Sequence, residues 1–100
     1  MSNYKEIVQS LETWAAILYL AEYHNCFISV YRESIGSDEW VCAYKIDYLP
    51  IEFCMEKRRC SHFKEFNSYS EGGGTYSGGY NTYEYAAEAA VEKSIKLMKF

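Results

Sequence analysis

Apolar residues recur at helical spacing along the first two dozen positions. Tyr4, Ile7, Leu11, Trp14, Ala15 and Leu18 fall on one side and Lys5, Glu6, Gln9, Glu12 and Thr13 on the other, which predicts an amphipathic helix over residues 3–23. Asn3 with Glu6 three positions later forms a capping-box start, Ser2 being the other candidate cap, and Asn25 suits a left-handed stop. The second half of this helix, WAAILYLAEY, is apolar nearly all round. That end is expected to be buried on more than one side or to face a partner.

The period then shifts from helical to alternating. Residues 26–32, CFISVYR, are rich in β-branched and aromatic side chains, and residues 39–48 place Trp40, Cys42, Tyr44 and Ile46 against Val41, Ala43, Lys45 and Asp47. ESIGSD between them supplies turn residues, so the two strands should form an antiparallel hairpin. Residues 51–56 alternate well enough for a short strand, yet Pro50 at a first helical position fits a brief helix equally. Residues 63–69 are a further strand candidate.

A second helix closes the chain. Thr82 or Asn81 is its cap, Glu84, Glu88 and Glu92 lie toward its positive end, and Lys93, Lys96 and Lys99 lie toward its negative end. Its inner face should be Tyr83, Ala87, Ala90, Val91, Ser94 and Met98, with the alanines allowing a close approach to a sheet. The element order predicts a two-layer α+β fold, spanning residues 1–100 as a single domain: an N-terminal helix, a three- or four-stranded antiparallel sheet and a C-terminal helix, both helices on one face. Tyr31, Tyr44, Tyr48 and Tyr69 cannot all be core beside both helices, so the open face should present aromatics, a mark of an interaction site.

Composition sharpens this in one place. Residues 72–85, GGGTYSGGYNTYEY, hold five of the six glycines and four of the eleven tyrosines, the mixture by which paratope loops grip a partner. Tyr76 and Tyr80 are the expected anchors. A phosphate-binding loop is not supported, because the segment ends Gly78-Gly79-Tyr80 in place of Gly-Lys-Ser/Thr and has Ser77 where a dinucleotide fingerprint needs glycine. The net charge of −4 argues against neutralising nucleic-acid phosphates as a main task. Lys57, Arg58 and Arg59, with His62 and Lys64 following, form the one basic cluster and are candidate phosphate contacts, or a solvated loop screened by Glu56 and Glu65.

Cys26 and Cys42, in strand-like apolar runs, read as core packing. His24 and Cys26 with Cys54, Cys60 and His62 provide soft ligands for zinc, but without the Cys-x2-Cys knuckle no metal is assigned. Cys60 lies beside Lys57, Arg58, Arg59 and His62, neighbours that activate a thiol, yet a Cys and a His two positions apart are common by chance, and no catalytic residue is assigned. No cofactor is expected. No N-terminal run has the pattern of an export signal, and Trp14 to Ala21 is too short an apolar run to cross a bilayer, so a soluble, cytoplasmic protein is expected.

In its order of helix, three strands and helix, and in its glycine-containing approach to an alanine-rich last helix, the chain resembles the double-stranded-RNA-binding domain. Where that family carries a lysine-rich stretch, this chain has Asn81-Thr82-Tyr83-Glu84-Tyr85. The run Tyr80-Asn81-Thr82-Tyr83-Glu84-Tyr85-Ala86-Ala87-Glu88-Ala89-Ala90 also resembles the "YxTYEEAxEAA" ending of small phage and mobile-element proteins, with Tyr85 at the usual second acid. That likeness implies an accessory protein acting inside a host cell.

The leading expectation is a non-enzymatic protein-binding module that inhibits or modulates a host factor such as a defence system, contacting it through Tyr31, Tyr44, Tyr69, Tyr76 and Tyr80. Homodimerisation through the same aromatic surface is equally compatible. The alternatives are single-stranded nucleic-acid binding by tyrosine stacking and the run Lys57–Arg59, and a small-ligand sequestering protein closing residues 72–79 over its ligand.

Overall fold

The computed structural model describes residues 3–49, 63–70 and 79–100. Along them run helices α1 (Tyr4–Ser10) and α2 (Thr13–His24), strands β1 (Cys26–Ser34), β2 (Trp40–Tyr48) and β3 (Lys64–Asn67), and helix α3 (Tyr83–Met98). The three strands form an antiparallel sheet in the order β1-β2-β3, so the fold is the expected α+β arrangement. Residues 50–56, read as strand or helix, lie outside the described residues.

The hairpin forms as its turn residues predict. β1 and β2 pair from Cys26 opposite Tyr48 to Ser34 opposite Trp40, and the Ile35 N–H donates to the Glu39 carbonyl at 3.0 Å to close the connection. Alternation then sorts the side chains. Cys26, Ile28 and Val30 of β1, Tyr44, Ile46 and Tyr48 of β2 and Phe66 of β3 join a core with Val8, Ala16, Leu20, Ala90, Val91, Ile95 and Met98 from the helices. The sheet's second face is polar toward β3, where Lys45 lies 3.7 Å from Asp47 and 3.8 Å from Glu65, half-exposed pairs that contribute little.

That second face carries only part of the aromatic set expected: Tyr31, opposite Ala43, lies on it, as does Phe27, opposite Asp47, whose ring stacks on Phe63 at 6.0 Å. Tyr44 and Tyr48 sit on the helix side because they share parity with Ile46, and Tyr44 is only 3% exposed. On the second face Val41 and Ala43 are buried, and a Cβ on Gly79 would fall 2.4 Å from Val41 Cβ and Cγ2. Glycine is required there by this close approach.

α3 follows its sequence closely. The Tyr85 N–H donates to Thr82 Oγ1 at 3.0 Å, and Ala87, Ala90, Val91, Ser94 and Met98 are buried as predicted, joined by Ala86 and Ile95. Tyr83 is the exception, standing in the first turn at 47% exposure because the inward positions at that end belong to Ala86 and Ala87. The small side chains bring the α3 backbone close to the sheet, and the Cys26 thiol lies against the Ser94 hydroxyl.

The N-terminal helix departs most. It is two helices, broken where Leu11 takes an extended conformation (φ −93°, ψ 153°) with its N–H donating to Val8 O at 3.2 Å. Asn3 precedes α1 without a side-chain cap, so the capping box does not form. Val8, Ala16 and Leu20 point inward, while Ile7, Leu11, Trp14 and Leu18, expected inside, point outward. The nearly all-apolar second half gave two competing faces, and the one containing small Ala16 permits the closer approach. Asn25 ends α2 in the left-handed region (φ 53°) as expected.

The His24 ring locks α1 to the end of α3. Its centroid is 4.4 Å from Tyr4, 5.1 Å from Tyr19 and 4.9 Å from Phe100, and the Tyr23 ring lies tilted 5.1 Å from Tyr19. Nε2 is buried with no hydrogen-bond partner, and desolvation holds the pKa below 6.5.

Two outcomes are expected. Gly79→Ala should cost about 1–3 kcal/mol by forcing a Cβ into Val41, and a urea midpoint equal to wild type would refute the packing. Because the folded His24 pKa is lowered, the unfolded chain binds the extra proton, so stability should fall as pH drops below 6.5. Thermal melts between that pH and about 5 should show the fall in wild type and not in His24→Phe, carboxylates titrating mostly lower; equal slopes would refute it.

Candidate functional site

The site is built by the way β2 satisfies its second edge. β3 pairs with it only from Lys45 to Tyr48, and the chain turns away at Asn67, whose Oδ1 accepts from the Tyr69 N–H at 2.9 Å, the Ser70 N–H at 3.2 Å and the Tyr31 hydroxyl at 3.1 Å. Ser68 serves the next position, its N–H donating to Tyr44 O at 2.9 Å and its Oγ accepting from the Tyr44 N–H at 3.0 Å. The chain returns at Tyr80, which exchanges two 2.8 Å backbone hydrogen bonds with Cys42. From there Asn81 and Thr82 lead directly into α3.

This return places the Tyr80 ring between core and surface. It lies 5.9 Å from the Tyr44 ring, and burial, with the Tyr80 phenol as a smaller contribution, pushes the Tyr44 hydroxyl well above the ordinary phenol range. The other side of Tyr80 borders a cavity of about 450 Å³ completed by Asn81, Tyr85, Glu88, Ala89 and Glu92. Tyr85, Glu88, Ala89 and Glu92 fall at i, i+3, i+4 and i+7, one outward stripe of α3. Ala89, half-buried between the larger side chains, leaves the hollow.

A second cavity of about 260 Å³ runs between α1 and α3, walled by Val8, Leu11, Val91 and Ile95 and again by Glu88 and Glu92. The two carboxylates therefore stand between both hollows. Leu11 also belongs to the outward ridge of Ile7, Leu11, Trp14 and Leu18, whose exposures run from 37% to 59%. Apolar ridge, groove and acid-tyrosine hollow are thus contiguous through Leu11, Glu88 and Glu92.

The tyrosines predicted to bind a partner divide among different surroundings. Tyr80 borders the larger cavity. Tyr31 and Tyr69 are half-buried and both hydrogen-bond Asn67, Tyr31 through its hydroxyl and Tyr69 through its backbone. Tyr44 is in the core, a correction forced by its parity with Ile46. Tyr76 and the basic run Lys57, Arg58 and Arg59 lie outside the described residues, as do residues 71–78. Trp14 and Leu18 belong to the run WAAILYLAEY, expected to be buried on more than one side or to face a partner; Tyr85, Glu88 and Glu92 had no expected binding role. The last three were visible as a helical stripe, but the acids were explained by the helix dipole.

Among the described residues no group of three or more His, Cys, Asp and Glu side chains gathers to hold a metal. Cys54, Cys60 and His62 lie outside them. Cys26 and Cys42 are buried, and burial pushes the Cys26 thiol up to about 11, the neighbouring Ser94 hydroxyl acting weakly the other way. Neither is presented as a nucleophile.

No family model, curated protein or solved structure matches the chain. Among the described residues no helix is long and apolar enough to cross a membrane.

Alkylation of the native protein near about pH 8, read by peptide mass spectrometry, should leave Cys26 and Cys42 unmodified until denaturant is added. Rapid native labelling at Cys26 would contradict its place in the core.

Proposed function

We propose that this chain is a non-enzymatic protein-binding module whose binding face is the outward ridge of α1 and α2 together with the grooves beside α3. The observation that carries the reading is the ridge itself. Four large apolar side chains, Ile7 on α1, Leu11 at the break, and Trp14 and Leu18 on α2, stand 37% to 59% exposed. Large exposed apolar side chains beside an apolar-walled groove are the form of surface that a partner covers, and Trp is among the residue types enriched at binding anchors. Recognition thus shifts from the strand tyrosines to the helical layer, Tyr80 alone being shared.

The net charge of −4 and the outward Glu88 and Glu92 suit a basic partner. The setting, a phage or mobile-element accessory protein modulating a host factor such as a defence system, rests on the likeness of Tyr80–Ala90 alone. Nucleic-acid binding rests on tyrosine stacking with Lys57, Arg58 and Arg59, and ligand sequestration on residues 72–79; the basic run and all of that segment but Gly79 lie outside the described residues.

The double variant Trp14→Glu/Leu18→Glu tests the reading. Both side chains are outward, so the melting temperature should stay close to wild type. Capture of the partner from host extract should fall by about thirtyfold or more, the loss expected when a central anchor is removed. Undiminished capture by the folded variant would overturn the proposal. Size-exclusion chromatography of the two proteins distinguishes a second copy of the chain as the partner, since a wild-type dimer should then run as a monomer when substituted.

A further inference from the structure

We infer that the hollow between Tyr80 and Tyr85 receives the guanidinium of an arginine carried by a basic segment of the partner. The inference rests on the protein-binding reading and adds the chemistry of one contact. Each polar side chain among the described lining residues offers a hydrogen-bond acceptor: the Glu88 and Glu92 carboxylates, the Tyr80 and Tyr85 hydroxyls and the Asn81 amide oxygen. No lysine or arginine among the described residues lines it. Among the described residues neither acid forms an ion pair; Lys96, one turn beyond Glu92, is not among the lining residues, and Lys93 is held 4.6 Å over the Phe66 ring. Among the described residues two carboxylates and no cation line the hollow, which disfavours phosphate-bearing ligands.

The shape selects among cations. Glu88 and Glu92 are one helical turn apart, so their Cβ atoms stand about 5–6 Å from each other, a span that a planar guanidinium can bridge by donating to both carboxylates. Tyr80 and Tyr85 supply aromatic surface against which such a plane stacks, and Ala89 leaves room for it. A lysine ammonium matches the charge but not the fork or the stacking. Arg32 illustrates the preference elsewhere in this chain, its guanidinium carbon lying 5.4 Å from the Trp40 ring centroid.

The test uses the full chain, isotope-labelled and titrated with the capped tripeptide acetyl-Gly-Arg-Gly-amide, its lysine counterpart and its uncharged citrulline counterpart. The arginine peptide should shift the backbone amides of Tyr80 to Glu92 saturably, the lysine peptide more weakly, and the citrulline peptide not at all. Glu88→Gln/Glu92→Gln should abolish the arginine response with an unchanged melting temperature, both carboxylates being exposed. Equal binding of citrulline, shifts away from Tyr80 to Glu92, or an undiminished response in the glutamine variant would each overturn the inference. The broader reading is judged separately: partner capture lost in Trp14→Glu/Leu18→Glu, with no arginine-peptide response in the wild type, would leave the protein-binding module standing and remove only the arginine site.

Discussion

The second edge of β2 governs the architecture. Val41, Cys42, Ala43, Tyr44 and Ile46 are all buried, so their backbone groups cannot turn to water and must be met by protein. Three different pieces of chain meet them: β3 opposite Lys45 to Tyr48, Ser68 at Tyr44, and Tyr80 at Cys42. A single continuous strand would have served the same groups. The corner at Asn67 divides the task, and Tyr80 takes the Cys42 position, three residues before α3 begins at Tyr83.

From this follow the orientation of α3 and the character of its two faces. Thr82 starts the helix at a point set by the Tyr80 bridge, and Ala86, Ala87 and Ala90 then lie on the sheet with little side chain between. The opposite stripe, Tyr85, Glu88, Ala89 and Glu92, is left facing outward. Close packing on one side thus produces an acidic, tyrosine-flanked hollow on the other, without any residue strained to form it. The break at Leu11 performs a similar service for the N-terminal segment, turning Val8 toward α3 while Leu11 joins the exposed ridge to the groove.

Such a surface exposes apolar area that a solitary domain would gain by burying. Leu18 and Trp14 are more than half exposed, whereas Ala16 and Leu20 on the same helix are fully enclosed. The core is correspondingly thin, built from one sheet face, three helices and the aromatic cluster of Tyr4, Tyr19, His24 and Phe100. His24 there gains van der Waals contact at the expense of its lost hydration, which ties the docking of α1 to the neutral state of the ring.

Much of the fold was legible in the chain itself. The alternating pattern and turn residues determined the hairpin, Thr82 and the alanine spacing determined α3, and Asn25 determined where α2 stops, because hydrogen bonding and backbone preference are local. Tertiary structure decided which apolar face of α2 turned inward, that Tyr44 is core and Tyr83 is not, and that Glu88 and Glu92 border a hollow. These outcomes depend on volume: apolar residues on every side of WAAILYLAEY satisfy helical periodicity equally, and only competition with α3 and β1 for one shared interior chooses among them.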